Sequence, residues 1–336
     1  MKNTENAGDV ETITALVLAA PTSATLALLG AEVSRARAYA AASRAPNTSR
    51  AYASDLGAFR AWCAPRGFAS LPAEPTTVAL YLAGMADAGR KVATLERALV
   101  AISQAHKLAG LDSPRTHRAV TEVLSGIRRT LGTAQKGKAP LPVSALASAA
   151  AVGREDLIGV RDGALLAVGF AGGFRRSELV GLDVPDLDFR AEGLVVTLRR
   201  SKTDQEGAGR TVALPYGANP LTCPVRTLRA WLDAAGIVAG PVFRAVNKAA
   251  RVAPERLSDR TVANVVKDAA ERAGLAPAAF SGHSLRSGLA TAAAKAGKSE
   301  RAIMRATGHK TEKMVRRYIR DASLFDADNA AAGIGL

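Results

Sequence analysis

The sequence predicts a mainly α protein in two parts: an all-α helical domain, then an α+β domain with a small antiparallel sheet. Three observations carry that prediction. Apolar residues recur every three or four positions along most of the chain, the period of an amphipathic helix. Two segments, GLVVTLRRSK (193–202) and RTVALP (210–215), are β-branched instead, and the TDQEGAG between them is a glycine-containing loop of hairpin kind. Between the two regions GTAQKGKAPLP (132–142) is polar, basic and aperiodic, and closes on two prolines, as an interdomain linker does.

In chain order, residues 1–21 are expected to be an N-terminal tail. The apolar run from Thr12 to Gly30 is broken by Pro21, and Glu5, Asp9 and Glu11 precede or open it against Lys2, the wrong charge for a secretory leader. A cytoplasmic protein without a membrane span is the expectation. Residues 22–132 carry the stripes Tyr52, Leu56, Phe59, Cys63 and Leu95, Leu99, Ile102, His106, and read as roughly five helices. Their boundaries are expected at Asn47-Thr48 (a cap), Pro65 to Gly67 (a break), Pro75 (a start), Gly89 (a stop) and Ser113-Pro114 (a cap and first turn). Residues 133–142 form the linker and 143–321 the second domain, helical up to the hairpin and again from about Asp259. Residues 322–336, ASLFDADNAAAGIGL, are a C-terminal segment whose apolar residues have little left in their own domain to cover.

Composition narrows the function. Lys and Arg outnumber Asp and Glu by 45 to 30, a net charge of +15, and both halves share the excess. That balance favours a polyanionic partner such as nucleic acid. Cys63 and Cys223 are too few and too far apart for a disulfide framework or a zinc site, and no Gly-x-x-x-x-Gly-Lys-Ser/Thr loop for ATP is present. Neither a cofactor nor a metal is called for.

Four segments of the second half place chargeable residues in notable settings: GGFRRSELVGL with Arg175 and Glu178, RRSKTD with Lys202, SGHSLRSG with His283 and Arg286, and ATGHKTEKMVRRYIRD with His309 and Tyr318. Each alone has an ordinary reading. Arg175 and Glu178 fit an i,i+3 ion pair worth about 0.2–0.5 kcal/mol, and Lys202 a solvated charge at a hairpin tip. His283 and Arg286 fit a hydrogen-bonded pair at a seam, His309 a loop histidine, and Tyr318 a core-edge aromatic.

In this order and spacing, however, the four segments resemble the catalytic domain of the tyrosine recombinases, the phage integrase family. GFRRSEL looks like that family's first arginine box, SGHSLRSG like its second, and GHKTEKMVRRYI like its nucleophile segment. The likeness runs from about Pro140 to Asp321. It extends more weakly to the first domain through AWC (61–63), PAEP (72–75) and Gly110-Leu111, which would then be the family's SAM-like core-binding domain. Arg176 departs from the pattern, since the family usually has an apolar residue there, which puts the packing of the first box in doubt.

The resemblance implies DNA cleavage and rejoining through a 3′-phosphotyrosyl intermediate, and the residue types suit it. Charge that builds on non-bridging phosphate oxygens is stabilised by preorganised cations, and guanidiniums bond such oxygens bidentately. Arg175 and Arg286 are the expected clamp. A tyrosine hydroxyl, with a reference pKa of about 10, needs help to attack at neutral pH; His283 is the expected base for Tyr318. By the resemblance, Lys202 protonates the leaving 5′ oxygen. His309 donates a hydrogen bond to the phosphate or beside the nucleophile, and Glu178 orients the site.

Thr48 and Arg50 in the second helix, and Thr94 and Arg97 in the fourth, would face the major groove, with Arg97 reading a base edge. The implied partners are double-stranded DNA bearing an inverted-repeat recombination site and three further copies of the chain in a tetramer docked through 322–336, with room for an accessory protein. The implied place of action is the cytoplasm, at the nucleoid. Two alternatives stay open: a type IB topoisomerase-like relaxer with the same chemistry, and a DNA-binding relative that has lost activity.

Overall fold

The computed structural model describes residues 30–134, 137–151, 156–199, 204, 207 and 209–322. Lys202, the expected tail 1–21 and residues 323–336 lie outside them. The chain divides into two compact units between Gln135 and Lys136.

Among the described residues the first unit holds five α-helices: α1 (Gly30–Ala42), α2 (Pro46–Cys63), α3 (Pro75–Asp87), α4 (Val92–Leu108) and α5 (Arg118–Leu131). The expected stripes form its core except for Tyr52, which is half-buried at the edge. Phe59, Leu82, Leu95 and Ile102 are fully buried together with Leu56, Cys63, Leu99, Val120 and Leu124, and each such side chain contributes about 1.5–3 kcal/mol by leaving water. Phe59 lies 4.9 Å from Tyr81, ring to ring. His106 belongs to this core as a structural group: its Nδ1 bonds the Ile102 carbonyl at 2.8 Å and its Nε2 accepts from Ala73 N at 2.9 Å. A carbonyl only accepts, so this ring is neutral with its proton on Nδ1.

Two helix starts differ from expectation. α2 begins one residue before Asn47-Thr48, with Ala45 at its N-cap and no side-chain cap. Pro46 explains this, because its fixed φ suits a first helical position and its missing N–H would have had no partner there. Ser113 does cap a turn, accepting from Arg115 N at 3.3 Å, but that turn is the short 3₁₀ segment Pro114–Thr116. α5 starts later, at Arg118, where His117 Nδ1 accepts from Ala119 N at 3.2 Å.

The second unit opens with α6 (Val143–Ala151), α7 (Leu157–Ala171) and the one-turn α8 (Arg176–Val180). A three-stranded antiparallel sheet follows in the order β1 (Leu187–Phe189), β2 (Gly193–Leu198), β3 (Arg210–Pro215). The rest is α9 (Pro224–Ala234), a hairpin of β4 (Arg244–Val246) and β5 (Val252–Arg256), and then α10 (Asp259–Arg272), α11 (His283–Lys295), α12 (Glu300–Thr307) and α13 (Glu312–Ala322). The β2–β3 pairing is the hairpin the sequence predicts, in register Leu194↔Leu214, Val196↔Val212, Leu198↔Arg210. The β4–β5 hairpin is not predicted, since Pro254 and the charged residues of VAPER mask a strand.

The apolar α7 runs through this unit, capped by Asp156, whose carboxylate accepts from Gly159 N at 2.6 Å. It packs with α8, α9, α10 and α11 around Leu165, Val168, Leu179, Leu228, Trp231, Val266 and Leu285. The end of the expected linker behaves differently from a free spacer. Ala139 N and Leu141 N donate at 2.9 Å to the carbonyls of Ala279 and Ser284, and Leu141 is buried. Leu141 lies against Gly288 of α11, where any β-carbon would collide with the Leu141 carbonyl. The end of the linker is thereby seated on the helix that begins at His283.

Candidate active site

The site grows from the turn between α7 and α8. Gly173, at φ 55, reverses the chain in a region where side chains are strained, and Arg175 then serves as the N-cap of α8. Glu178, in the first turn, accepts from Arg175 N at 2.9 Å and from Arg175 Nη1 at 2.5 Å. One buried carboxylate therefore both starts the helix and aims the guanidinium.

α11 places His283 and Arg286 one turn apart. Arg286 is 1% exposed; its Nη1 donates to the Gly173 carbonyl at 2.9 Å, and its buried Nη2 has no hydrogen-bond partner. The Arg176 departure resolves here. Its methylenes lie where a β-carbon of Gly282 would be, and its Nη2 stands 3.6 Å from the exposed Asp259 carboxylate. The aliphatic stem thus fills the apolar place and the charge reaches water.

α12 is capped by Gly308, φ 64, which delivers His309 inward, buried, with Nδ1 2.7 Å from Thr307 Oγ1. α13 brings up Tyr318, packed on Ala290, Ile303 and Val315. Its hydroxyl lies 3.1 Å from His283 Nε2, and its ring centroid 5.9 Å from that of His309. Arg175, Glu178, His283, Arg286, His309 and Tyr318 are therefore brought together; Lys202 lies outside the described residues.

Two residues of the site are not singled out by the sequence reading. Arg210, first residue of β3, donates to the Ala306 carbonyl at 3.0 Å and stands 3.7 Å from Glu178. A β-carbon on Gly308 would come within 2.9 Å of Arg210 Nε, so the glycine lets the turn close over the guanidinium. The signal was available: position 210 shares its strand face with the buried Val212 and Leu214, and a charge on an inward face needs a reason. Thr307 is the other, and nothing local distinguishes it from an ordinary helix-end threonine.

The electrostatics are dominated by clustered cations. Arg175, Arg210 and Arg286 crowd around one carboxylate. Burial, with Arg175 second, pushes Arg286 down to about 10, and burial also lowers Arg210 against the pull of Glu178. His309 is pushed down to about 4, by burial first and then by Arg286, Arg175, His283 and Arg210. His283 is open to solvent on one side, yet protein atoms around its ring, then Arg286, Arg175 and Arg317, hold it below the usual 6.5.

The sign for stability follows. Well above pH 6.5 His309 is neutral both folded and unfolded. Between about 6.5 and 4 the unfolded chain takes up a proton at position 309 that the folded chain refuses. Thermal unfolding midpoints should therefore fall with pH across that window, and His309→Asn should flatten part of the fall.

In the first unit, Thr48 and Arg50 lie in the first turns of α2, and Thr94 and Arg97 in α4, with Arg50 and Arg97 exposed. Arg97 is tied across to α2: its Nε and Nη2 donate to Asp55 at 2.7 and 2.9 Å, and that bond raises its pKa. Among the described residues no group of three or more His, Cys, Asp or Glu is arranged to hold a metal, and no helix is long and apolar enough to cross a membrane.

A tyrosine hydroxyl against an imidazole, with three guanidiniums nearby, is an arrangement that can support a phenolic nucleophile acting on an anionic centre. The chain belongs to the phage integrase family, which matches residues 143–324. These are the tyrosine recombinases, enzymes that transfer DNA strands. Over 292 residues, 86% of this chain and 85% of the relative, it is 43% identical to an integrase/recombinase XerD homolog of Selenomonas ruminantium. It is 27% identical over 281 residues to recombinase Cre of Escherichia phage P1, covering 78% of this chain and 80% of that one. Read from SGHS through YIRD alone, the sequence points to Cre before any other member; that likeness is present but weaker than the one to the XerD homolog. Among solved structures, a λ integrase dimer bound to a COC′ core site shares the fold, with a TM-score of 0.54, 19% identity, and coverage of 83% of this chain and 90% of that one.

Proposed function

We propose that this chain is a site-specific recombinase that breaks DNA with Tyr318 and reseals it in exchange with a second site through a Holliday junction. The observation that carries the reading is the buried, unpartnered Nη2 of Arg286 beside Arg175, with the Tyr318 hydroxyl 3.1 Å from His283. Unpaired buried donors are rare in folded proteins and ask for a ligand; here its complement is a phosphate oxygen.

In the proposed reaction Tyr318 Oη attacks phosphorus and yields its proton to His283 Nε2. The bond to the 5′ oxygen breaks, and Lys202 protonates that oxygen. Arg175 and Arg286 hold the two non-bridging oxygens as their charge grows, while Glu178 keeps Arg175 from turning away. The 3′-phosphotyrosyl ester retains the energy of the broken bond, so a 5′ hydroxyl from the partner strand can reverse the step without a cofactor. Thr48, Arg50, Thr94 and Arg97 face the major groove in this scheme, with Asp55 presetting the Arg97 fork. Four copies assemble on inverted-repeat DNA, with residues 322–336 of each seated on a neighbour, in the cytoplasm at the nucleoid.

Two measurements test this. A duplex carrying the chain's own binding site, nicked just beyond the cleavage point, should trap a denaturant-resistant adduct of chain and DNA. Binding without adduct would favour an inactive DNA-binding relative, and adduct with relaxation but no exchange a topoisomerase-like enzyme. Deleting residues 324–336 should weaken tetramer formation on that DNA in sedimentation while leaving single-site binding intact; unchanged assembly would remove the docking role.

A further inference from the structure

Thr307 ends α12 with its hydroxyl between two partners. Its Oγ1 is 2.6 Å from the carbonyl oxygen of Ile303 and 2.7 Å from Nδ1 of His309. A carbonyl oxygen can only accept, so the single hydroxyl proton is committed to Ile303, the back-bond a helical threonine makes to the residue four before it. Toward His309 the threonine oxygen is left as acceptor, and Nδ1 must carry a proton. A neutral His309 has no second proton, so its Nε2 is a bare lone pair.

That tautomer sits awkwardly with the task proposed for His309. A ring in this state can accept at Nε2 but cannot donate there to a phosphate oxygen. We infer that Thr307 is a positioning residue that locks His309 as the Nδ1–H tautomer, so that His309 donates to a bound phosphate from Nε2 only by taking up a solvent proton as the anion arrives. The inference rests on the reading that the site holds a phosphate.

The surroundings of the ring supply the coupling. It faces Arg286 and His283 from α11, Arg175 from the turn before α8, Arg210 from β3 and Tyr318 from α13, with Glu178 behind the arginines. With no anion present these cations, added to burial, keep the ring neutral. A phosphate between Arg175 and Arg286 offsets the same charges and favours the imidazolium. The proton comes from water and returns to it on release, so the step is balanced without any further reactant. Proton uptake and phosphate binding then promote each other by linkage.

The test uses the full chain labelled with ¹⁵N only at histidine, with His309 assigned by its loss in His309→Asn. In the DNA-free chain His309 should show a protonated Nδ1 and an unprotonated Nε2 at pH 7; His106 has the same pattern from its own bonds, and the His309→Asn assignment tells the two apart. Inorganic sulfate, which does not itself titrate in this range, should raise the pH at which Nε2 becomes protonated by one unit or more. Thr307→Ser should retain the Nδ1–H form, and Thr307→Val should shift the ring toward Nε2–H and flatten the alkaline limb of the cleavage-rate profile on nicked DNA, where the wild-type ring can no longer hold its second proton. An Nε2–H tautomer in the wild-type free chain would overturn the inference, as would a titration unmoved by saturating sulfate. Because the tautomer is read without DNA, its failure is distinct from failure of the recombinase reading, which would appear as absence of the Tyr318 adduct.

Discussion

Replacing Tyr318 with phenylalanine should abolish the covalent DNA adduct and all strand exchange, to the background of the assay, while DNA binding stays within a factor of about two of wild type. The reasoning is atomic. Phe keeps the ring that packs on Ala290, Ile303 and Val315 and that lies 5.9 Å from His309. What it removes is the oxygen 3.1 Å from His283 Nε2, and no neighbouring group can replace an atom that forms the bond. Affinity for DNA is expected to come mainly from phosphate contacts over both basic units, which this change leaves alone. Thermal stability should change little, since the lost hydrogen bond reaches a partly solvated histidine and is worth about 1 kcal/mol at most. An adduct that survived in Tyr318→Phe would remove this residue as nucleophile, and loss of DNA binding would show that the hydroxyl serves the fold or the grip.

How far the sequence discloses such a site depends on how local its logic is. Arg175 with Glu178, and His283 with Arg286, are each separated by three residues, so a helix alone explains their common face. The helices of the first unit were legible for the same reason, since the stripe from Leu56 to Cys63 is periodic wherever it packs. What was hidden depends on distant chain. Arg210 matters because it reaches the carbonyl of Ala306, 96 residues on, and Thr307 because a helix end happens to turn its hydroxyl between Ile303 and His309. The seat of Leu141 against Gly288 was hidden likewise, because a proline-flanked polar segment reads as linker until a glycine elsewhere makes room for it. The start of α2 was misplaced by local competition: Asn47-Thr48 is a fair cap, and Pro46 one residue earlier is a better first position.

Arg286→Met should move activity and stability in opposite directions. Arg286 is almost completely enclosed, one of its nitrogens has no partner, and Arg175 and Arg210 stand close enough to repel it. Burial and its cationic neighbours hold its guanidinium down at about 10, which corresponds to a cost on the order of 3 kcal/mol for keeping it charged in the DNA-free fold. Methionine has similar reach and no charge, so it relieves that cost. Against this stands the loss of one bond to the Gly173 carbonyl, worth about 0.5–1.5 kcal/mol. The balance favours an unfolding midpoint equal to or above wild type, as when buried ionic groups are exchanged for apolar ones of like size. Activity should fall instead: removing one preorganised donor to a developing oxyanion costs about 10²–10³ in rate, and a guanidinium offering two bonds and a full charge should lie at or beyond the top of that range. Adduct formation on nicked DNA, followed over time beside thermal unfolding of the same preparation, separates the cases. A variant both less stable and less active would make Arg286 a strut between α11 and the Gly173 turn, whereas a variant that is stable and inactive shows that the fold holds this cation at a loss for the sake of the anion that completes it.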